Sequence, residues 1–345
     1  MTKTENLQME TEFYADKFYF SYSSLNKLMY SPQLFYRDYI LKQREEETSP
    51  ALLQGKLIHC LVLEPQAFDE KFLLLPSNMP SDNPKKVVDA VYEHYINMEP
   101  ITTETGKTGI PSPYLEDHSQ KILDVLKEIN LHQSLKTDEQ RLEKILTDAN
   151  KDYFQFLLRK DGKDIIDIPT YEYCTEVAEL VRANQQVSRM LGLEPTENVQ
   201  VLNETPIQID LKAYPFGVKG IVDNIRIDNA LKIIYINDVK TTSKTLIEFP
   251  ETVEFYNLWL QAAMYKHMVE WEFIHLNQLS LADWTIEFSF IVIDKYKQIC
   301  PFTVSDVTMA QWETKMAEVF TEANWHYNSK RYDLPYKLAN RKVML

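Results

Sequence analysis

Glycine is scarce in this sequence: seven residues, at positions 55, 106, 109, 162, 192, 217 and 220. No subset of these gives G-x-G-x-x-G or G-x-x-x-x-G-K-[ST], which excludes the dinucleotide-binding fingerprint and the P-loop, so no nucleotide cofactor is expected. Cysteine is scarcer still. Cys60, Cys174 and Cys300 lie more than a hundred residues apart, so there is no C-x-x-C, no Cys/His zinc spacing and no means of building a four-cysteine iron–sulfur cluster. Three scattered thiols suit a reducing compartment. Long apolar runs are also missing: the longest near-apolar stretch, 288–293, is far below the ~20 residues of a membrane span. The opening MTKTENLQMETEFYADKF has no apolar signal-peptide core, and a cytoplasmic location is expected. Basic excess is absent as well. Lys and Arg number 37 against 51 Asp and Glu, a formal charge of −14, which argues against a surface coated for nucleic acid.

What remains is rich in core-forming residues. Hydrophobic residues make up 44% and aromatics 12% of the 345 positions, too apolar for disorder and long enough for one large domain or two ordinary ones.

Residues 1–18 read as a loose leader, followed by two short helical pieces in SYSSLNKLMYSPQLFYRDYI. Ser31-Pro32 and Ser49-Pro50 each look like an N-cap followed by proline at the first helical position, where a missing N–H costs nothing. The second opens a helix to about Leu63, with Leu53, Leu57, Ile58, Leu61 and Val62 at helical spacing. The proline-rich stretch 76–113 reads as an insertion with a helix near 85–98 and an irregular connection. Helices are expected at about 114–131 and 138–148, the latter with a Thr137/Gln140 capping box. Asp161-Gly162 between the β-rich runs 153–159 and 164–168 suggests a hairpin. A helix from about 171 to 191 then stops at Gly192.

From 199 the period changes to two. Strands are expected at 199–213 (broken near Pro206), 217–227 and 231–240, then a helix at 252–274, strands at 284–293 and 299–304, and a closing helix at 307–328. This is an α+β order around one mixed central sheet flanked by helices. The expected division is an N-terminal helical segment 1–75, a largely helical insertion 76–150, a core 151–330 and a basic tail 331–345.

The strand pair 217–227 and 231–240 carries the chemistry. On the first, Ile221, Asp223, Ile225 and Ile227 share a face, so Asp223 points where isoleucines are buried, and an unpaired buried carboxylate is expensive. On the second, Asp238 and Lys240 share one face. A turn at Asn229-Ala230 pairs Asp223 with Ile236 and sets Asp238 diagonally across, roughly 7–8 Å away. Two carboxylates at that reach can hold one divalent ion, with Lys240 beside it. Oxygen ligands select Mg²⁺ or Mn²⁺ over zinc, and such ions promote phosphodiester hydrolysis. The alternative is a structural Asp–Lys pair at a sheet edge.

The segments G-I-V-D-N (220–224), N-D-V-K-T-T (237–242) and L-Q-A-A-M-Y (260–265) resemble the PD-(D/E)xK nuclease superfamily. Within it the sequence is most similar to the RecB-type and exonuclease VIII (RecE)-like nucleases, including phage and bacterial ones. Their D…(D/E)xK…QxxxY signature falls on Asp223, Asp238, Lys240, Gln261 and Tyr265. Gly55 and His59 match their upstream GxxxH pair. The similarity is patchy over 21–72, stronger over 153–304 and poor over 76–150. It implies a restriction-endonuclease-like core with His59, Asp223 and Asp238 as metal ligands and the Val239 backbone carbonyl as a fourth. Glu204, in L-N-E-T-P-I, matches a glutamate these families often carry, for a second metal or a supporting role; the alternative is an exposed glutamate at a strand end. Without the family pattern, His59 is a core histidine and Gln261/Tyr265 a helix-boundary pair.

The resemblance implies an Mg²⁺- or Mn²⁺-dependent exodeoxyribonuclease digesting double-stranded DNA ends 5′→3′, producing single strands for recombination with an annealing protein, as a homo-oligomeric ring in a bacterial cytoplasm. Alternatives are a single-strand exonuclease or structure-specific endonuclease of the same fold, or a non-catalytic DNA-binding or protein-interaction module. Charge is consistent with a confined channel. Residues 205–245 carry six basic and four acidic groups (6 − 4 = +2), and 325–345 carry five and one (5 − 1 = +4).

Overall fold

The computed structural model describes residues 3–44, 49–98, 101–102, 108–109, 111–275, 280 and 283–339. Expectations for residues 103–107 of the insertion and 340–345 of the tail lie outside the described residues. The described strands are β1 (Tyr19–Phe20), β2 (Phe72–Leu74), β3 (Ile101–Thr102), β4 (Thr108–Gly109), β5 (Asp164–Ile166), β6 (Val199–Asp210), β7 (Gly217–Asp228), β8 (Ile233–Thr242), β9 (Thr285–Asp294) and β10 (Ile299–Thr303). The chain forms two compact units, residues 1–64 with 176–345, and residues 65–175.

The first unit holds one mixed sheet in the order β6–β7–β8–β9–β10, with β1 parallel to the start of β7. Pairs β6–β7, β7–β8 and β9–β10 are antiparallel and β8–β9 is parallel. A parallel pair needs a crossover, and the chain supplies it with helices Phe249–Phe255 and Leu258–Val269. Ten of the twelve residues of the latter helix are buried. It lies in the same apolar cluster as Ile225, Ile236, Phe288 and Phe290 of the sheet. Each such side chain taken from water contributes roughly 1.5–3 kcal/mol.

Val222 and Ile225 belong to this same cluster although they are three residues apart. Strict alternation would put them on opposite faces, so β7 changes its inward face between them. Opposite, on β6, Glu204 takes a left-handed backbone, φ 44°. This is the irregularity expected near Pro206, displaced by two residues; Pro206 itself pairs with Ile221 in the ladder. Ile221 is 53% exposed, not inward-facing as the period-two reading has it, because the face change lies between it and Ile225.

The β7–β8 register differs from expectation by two residues. Ile236 pairs with Ile225, and the ladder ends at Asn224–Asn237. A two-residue slip keeps every side chain on its face, which is why Asp238 and Lys240 still share one.

Several helices also differ. Residues 3–15 are helical with Phe13 buried, not a loose leader. The expected 252–274 helix is interrupted at Asn257, which has φ 55°, and ends in a π-helix, Glu270–His275. The expected 171–191 helix is two, Ile168–Ala183 and Gln185–Leu191, because the Asn184 side chain caps the second.

In the second unit the expected 153–159 strand is instead a helix, Asp148–Arg159, capped by Thr147. Its Tyr153, Phe154 and Leu157 pack in a separate core with Val87, Val91 and Ile122. The β-forming aromatics are thus used on one helical face, and packing overrides propensity. Of the 164–168 run, Asp164–Ile166 forms a strand, β5, but it pairs in parallel with β2, so the hairpin expected at Asp161-Gly162 does not form. The Thr137/Gln140 capping box forms as read.

Candidate active site

His59 lies on the helix Pro50–Leu63, begun by the Ser49 cap and Pro50. A Cβ added at Gly55, one turn earlier, would meet Thr241 Oγ1 of β8 at 3.5 Å, so the helix passes close to that strand. His59 Nε2 lies 2.8 Å from the Val239 carbonyl oxygen. That contact engages the carbonyl expected to face a metal. It also turns Nδ1 towards two carboxylates, Asp223 Oδ2 at 3.6 Å and Glu204 Oε1 at 3.7 Å. His59, Glu204 and Asp223 each offer one ligand atom, all within 4.8 Å of one another.

Asp223 sits where β7 changes its inward face. Its Oδ2 accepts a hydrogen bond from the Val239 amide at 2.8 Å, so the carboxylate replaces the backbone acceptor that the β7–β8 ladder no longer supplies. Continuing the register places Asp223 opposite Asp238. Asp238 is not a member of the His59–Glu204–Asp223 set. It is fully buried, with Lys240 Nζ at 2.7 Å from Oδ2, while its Oδ1 has no hydrogen-bond partner among the described residues.

Electrostatics follow from this packing. Burial pushes the Asp238 carboxyl up to about 6, with Asp223 adding to the rise and Lys240 opposing it. Burial disfavours the Lys240 ammonium, but Asp238 and Asp223 outweigh it and hold the group above the ordinary lysine value. His59 behaves alike: burial opposes its cation, while Asp223 and Glu204 raise it above the usual imidazole range.

Gln261 and Tyr265 lie one turn apart on the helix Leu258–Val269, and Gln261 Nε2 donates to the Tyr265 hydroxyl at 2.9 Å. Burial, reinforced by Asp238 and Asp223, raises the Tyr265 phenol. The two line a cleft of about 530 Å³ with Ser21, Tyr22, Gln208, Lys219 and Gly220. A Cβ at Gly220 would stand 2.9 Å from both Tyr265 Cε1 and Met268 Cε, so glycine is what lets the Tyr265 ring approach β7 so closely.

Sequence reasoning missed Tyr22. Burial pushes its phenol up to about 12, with Lys240 opposing and Asp238 adding, which places it in the field of the Asp238–Lys240 pair. The only signal was its place at the start of a capped helix, where Ser21 and Ser24 form a capping box.

The residues fit a divalent cation. Two carboxylates and an imidazole converge, and the adjacent buried carboxylate has one oxygen, Asp238 Oδ1, with no hydrogen-bond partner among the described residues. Buried polar groups are ordinarily paired, and hard cations such as Mg²⁺ or Mn²⁺ take oxygen ligands.

No described protein family matches this sequence, and no curated protein matches it. Among solved structures, a candidate exonuclease of Eubacterium rectale is similar at TM-score 0.40 and 13% identity, over 100% of this chain and 95% of that one. The protein SSO0001 is similar at TM-score 0.23 and 10% identity, over 75% of this chain and 98% of that one. At TM-scores this low neither similarity carries weight, and the functional reading rests on the chain's own residues.

Proposed function

We propose that this chain is a divalent-cation-dependent DNA exonuclease of the PD-(D/E)xK type. The observation that carries the reading is the convergence of His59, Glu204 and Asp223 within 4.8 Å, next to the buried Asp238–Lys240 pair. These residues come from one helix and three adjacent strands, and Asp223, Asp238 and Lys240 of the resemblance's signature are among them.

His59, Glu204 and Asp223 would hold the cation, with Asp238 completing the negative charge around it. When bound, the cation supplies charge stabilisation to a phosphate diester and acidifies water. Asp238 keeps Lys240 as an ammonium, so Lys240 acts by orienting water and offsetting developing negative charge, not as a base. Gln261 fixes the Tyr265 hydroxyl, and Tyr265, Tyr22 and Lys219 shape the cleft that receives the DNA end. Following the resemblance, digestion runs 5′→3′ from double-stranded ends. The single-stranded product then passes to an annealing protein, and the nuclease acts as a homo-oligomeric ring.

Linear duplex labelled at either the 5′ or the 3′ end, beside a closed circle, tests this with Mg²⁺ or Mn²⁺. Release of the 5′ label first, with the circle intact, is expected. Lys240→Ala should slow cleavage about 10²- to 10³-fold, and affinity for DNA should fall as salt rises. Release from the 3′ end, preference for single strands or cutting of the circle would reassign the activity within the fold. Intact linear DNA, unchanged by Lys240→Ala, would leave a non-catalytic module.

A further inference from the structure

Each of three adjacent strands carries an asparagine next to an acidic residue: Asn203-Glu204 on β6, Asp223-Asn224 on β7 and Asn237-Asp238 on β8. The register sets the asparagines in one row, Asn203 opposite Asn224 and Asn224 opposite Asn237. It is the last row bridged across all three strands. The next, Glu204–Asp223–Asp238, has no backbone bridge, and Glu204 there has φ 44°.

The side chains form one directional chain. Asn237 Nδ2 donates to Asn224 Oδ1 at 2.8 Å, Asn224 Nδ2 to Asn203 Oδ1 at 2.7 Å, and Asn203 Nδ2 to the Leu63 carbonyl at 2.7 Å. Asn237 Nδ2 also donates to the Met190 carbonyl at 2.9 Å, and Asn224 Nδ2 to the Leu191 carbonyl at 3.0 Å. Backbone carbonyls only accept, so each amide orientation is fixed by its partner. These carbonyls end two helices, Pro50–Leu63 and Gln185–Leu191, where intrahelical partners run out. Asn224 and Asn237 are fully buried, so these two have no substrate to touch, and Asn203 is half-buried with its amide held by Leu63.

We infer that Asn203, Asn224 and Asn237 are positioning residues that set the spacing of Glu204, Asp223 and Asp238 and, through Leu63, the placement of the helix carrying His59. The row supplies across side chains the registry that the backbone gives up one residue later. Asparagine serves at Asn203 and Asn224 because it donates and accepts at once without charge, while Asn237 starts the chain as a donor only, its Oδ1 having no hydrogen-bond partner among the described residues; an aspartate row would place three repelling carboxylates in the sheet. The inference rests on the cation-site reading above, since what is positioned is that donor set.

The test measures cation binding directly on the full-length protein, by calorimetric titration with Mn²⁺ in the absence of DNA, beside urea unfolding. Asn224→Ala removes the centre of the row. Asn203→Ala removes only its half-buried end and the tether to Leu63, and decides the matter if the first variant does not fold. Ile209→Val on β6 is a control for lost packing away from the row.

Loss of a supporting hydrogen bond typically weakens metal binding about 10- to 100-fold. That weakening is expected for folded Asn203→Ala and Asn224→Ala, with turnover recovering as Mn²⁺ is raised, while Ile209→Val binds as the parent does. Parental Mn²⁺ affinity in both asparagine variants, even with lower unfolding midpoints, overturns the inference and leaves the nuclease reading standing. A parent protein that neither binds Mn²⁺ nor cuts DNA overturns both.

Discussion

Asp223 holds the amide of Val239: its Oδ2 accepts from that N–H at 2.8 Å, sixteen residues away and one row past the end of the strand ladder. One carboxylate therefore closes the sheet and also faces His59. Its two tasks separate by substitution. Asp223→Asn keeps an acceptor and should unfold within about 1 kcal/mol of the parent while losing cation-dependent cleavage. Asp223→Ala leaves a buried N–H unpaired and should cost about 1–3 kcal/mol as well. Urea denaturation with a cleavage assay separates the two; equal stability of both variants would contradict the closing role.

Asp238 and His59 give the site a pH dependence of one sign. Burial lifts Asp238 to about 6, above the unfolded value of about 3.9. In the cation-free protein its contribution favours the folded state below about pH 4 and is lost as pH rises through 6. Cation affinity runs the other way, because both Asp238 and His59 must release a proton first. Half-saturating cation concentration should therefore fall from pH 5 to 7, and saturating cation should move the rise in activity to lower pH. A profile flat across that interval would mean that neither group takes part.

Gly220 and Gly55 should respond differently to alanine. A Cβ at Gly220 meets Tyr265 Cε1 and Met268 Cε at 2.9 Å, whereas one at Gly55 meets Thr241 Oγ1 at an ordinary 3.5 Å. Gly220→Ala should displace the Tyr265 ring and lower kcat/KM about tenfold or more while Mn²⁺ affinity holds. Gly55→Ala should fold and cut as the parent does, with a small gain from better helix propensity. Steady-state kinetics and calorimetry on the pair check this.

Acid stability should depend on Asp38. Its carboxylate is buried between Lys27 and Arg37, the latter at 2.6 Å. Burial alone would raise this carboxyl, but hydrogen bonds from Arg37 and Lys27 outweigh it and hold the group below the usual carboxylate range. With the folded value below the unfolded value of about 3.9, the stabilisation is present above pH 4 and is lost as pH falls through the folded value. Asp38→Asn should cost about 1–2 kcal/mol at pH 7, in keeping with hydrogen bonds to charged partners, and little at pH 2. Urea midpoints of the two proteins between pH 2 and 7 should converge at the acid end.

The mixed sheet was legible because the period changes to two from residue 199 and a long apolar segment at 252–274 separates the strands at 231–240 and 284–293. Faces were legible more easily than register: the Asn229-Ala230 turn placed Asp223 two residues away from its partner, yet an even slip left Asp238 and Lys240 side by side. The helix at 148–159 was not legible, since a run with Tyr153, Phe154 and Phe156 has strand propensity until a core needs one helical face. Nor was the geometry of Glu204. Its left-handed φ is imposed by the interrupted ladder, and no residue type there announces it. The asparagine row was invisible because its logic is registry across three strands, which single-strand patterning does not encode.

His59 and Val239, in contact at 2.8 Å, are separated by 180 residues of chain. At a synthesis rate of about 5–20 residues per second, the second emerges about 9 to 36 s after the first. During that interval a nascent chain carries the histidine helix without the full set of β6, β7 and β8, which give it its two carboxylate partners and the Val239 carbonyl. The donor set is therefore not a local motif that can switch on early. Its carboxylate donors come from β6 and β7, and the Val239 backbone of β8 then holds both Asp223 and His59, so the capacity to hold a cation, and any cutting that depends on it, is a property of the finished sheet.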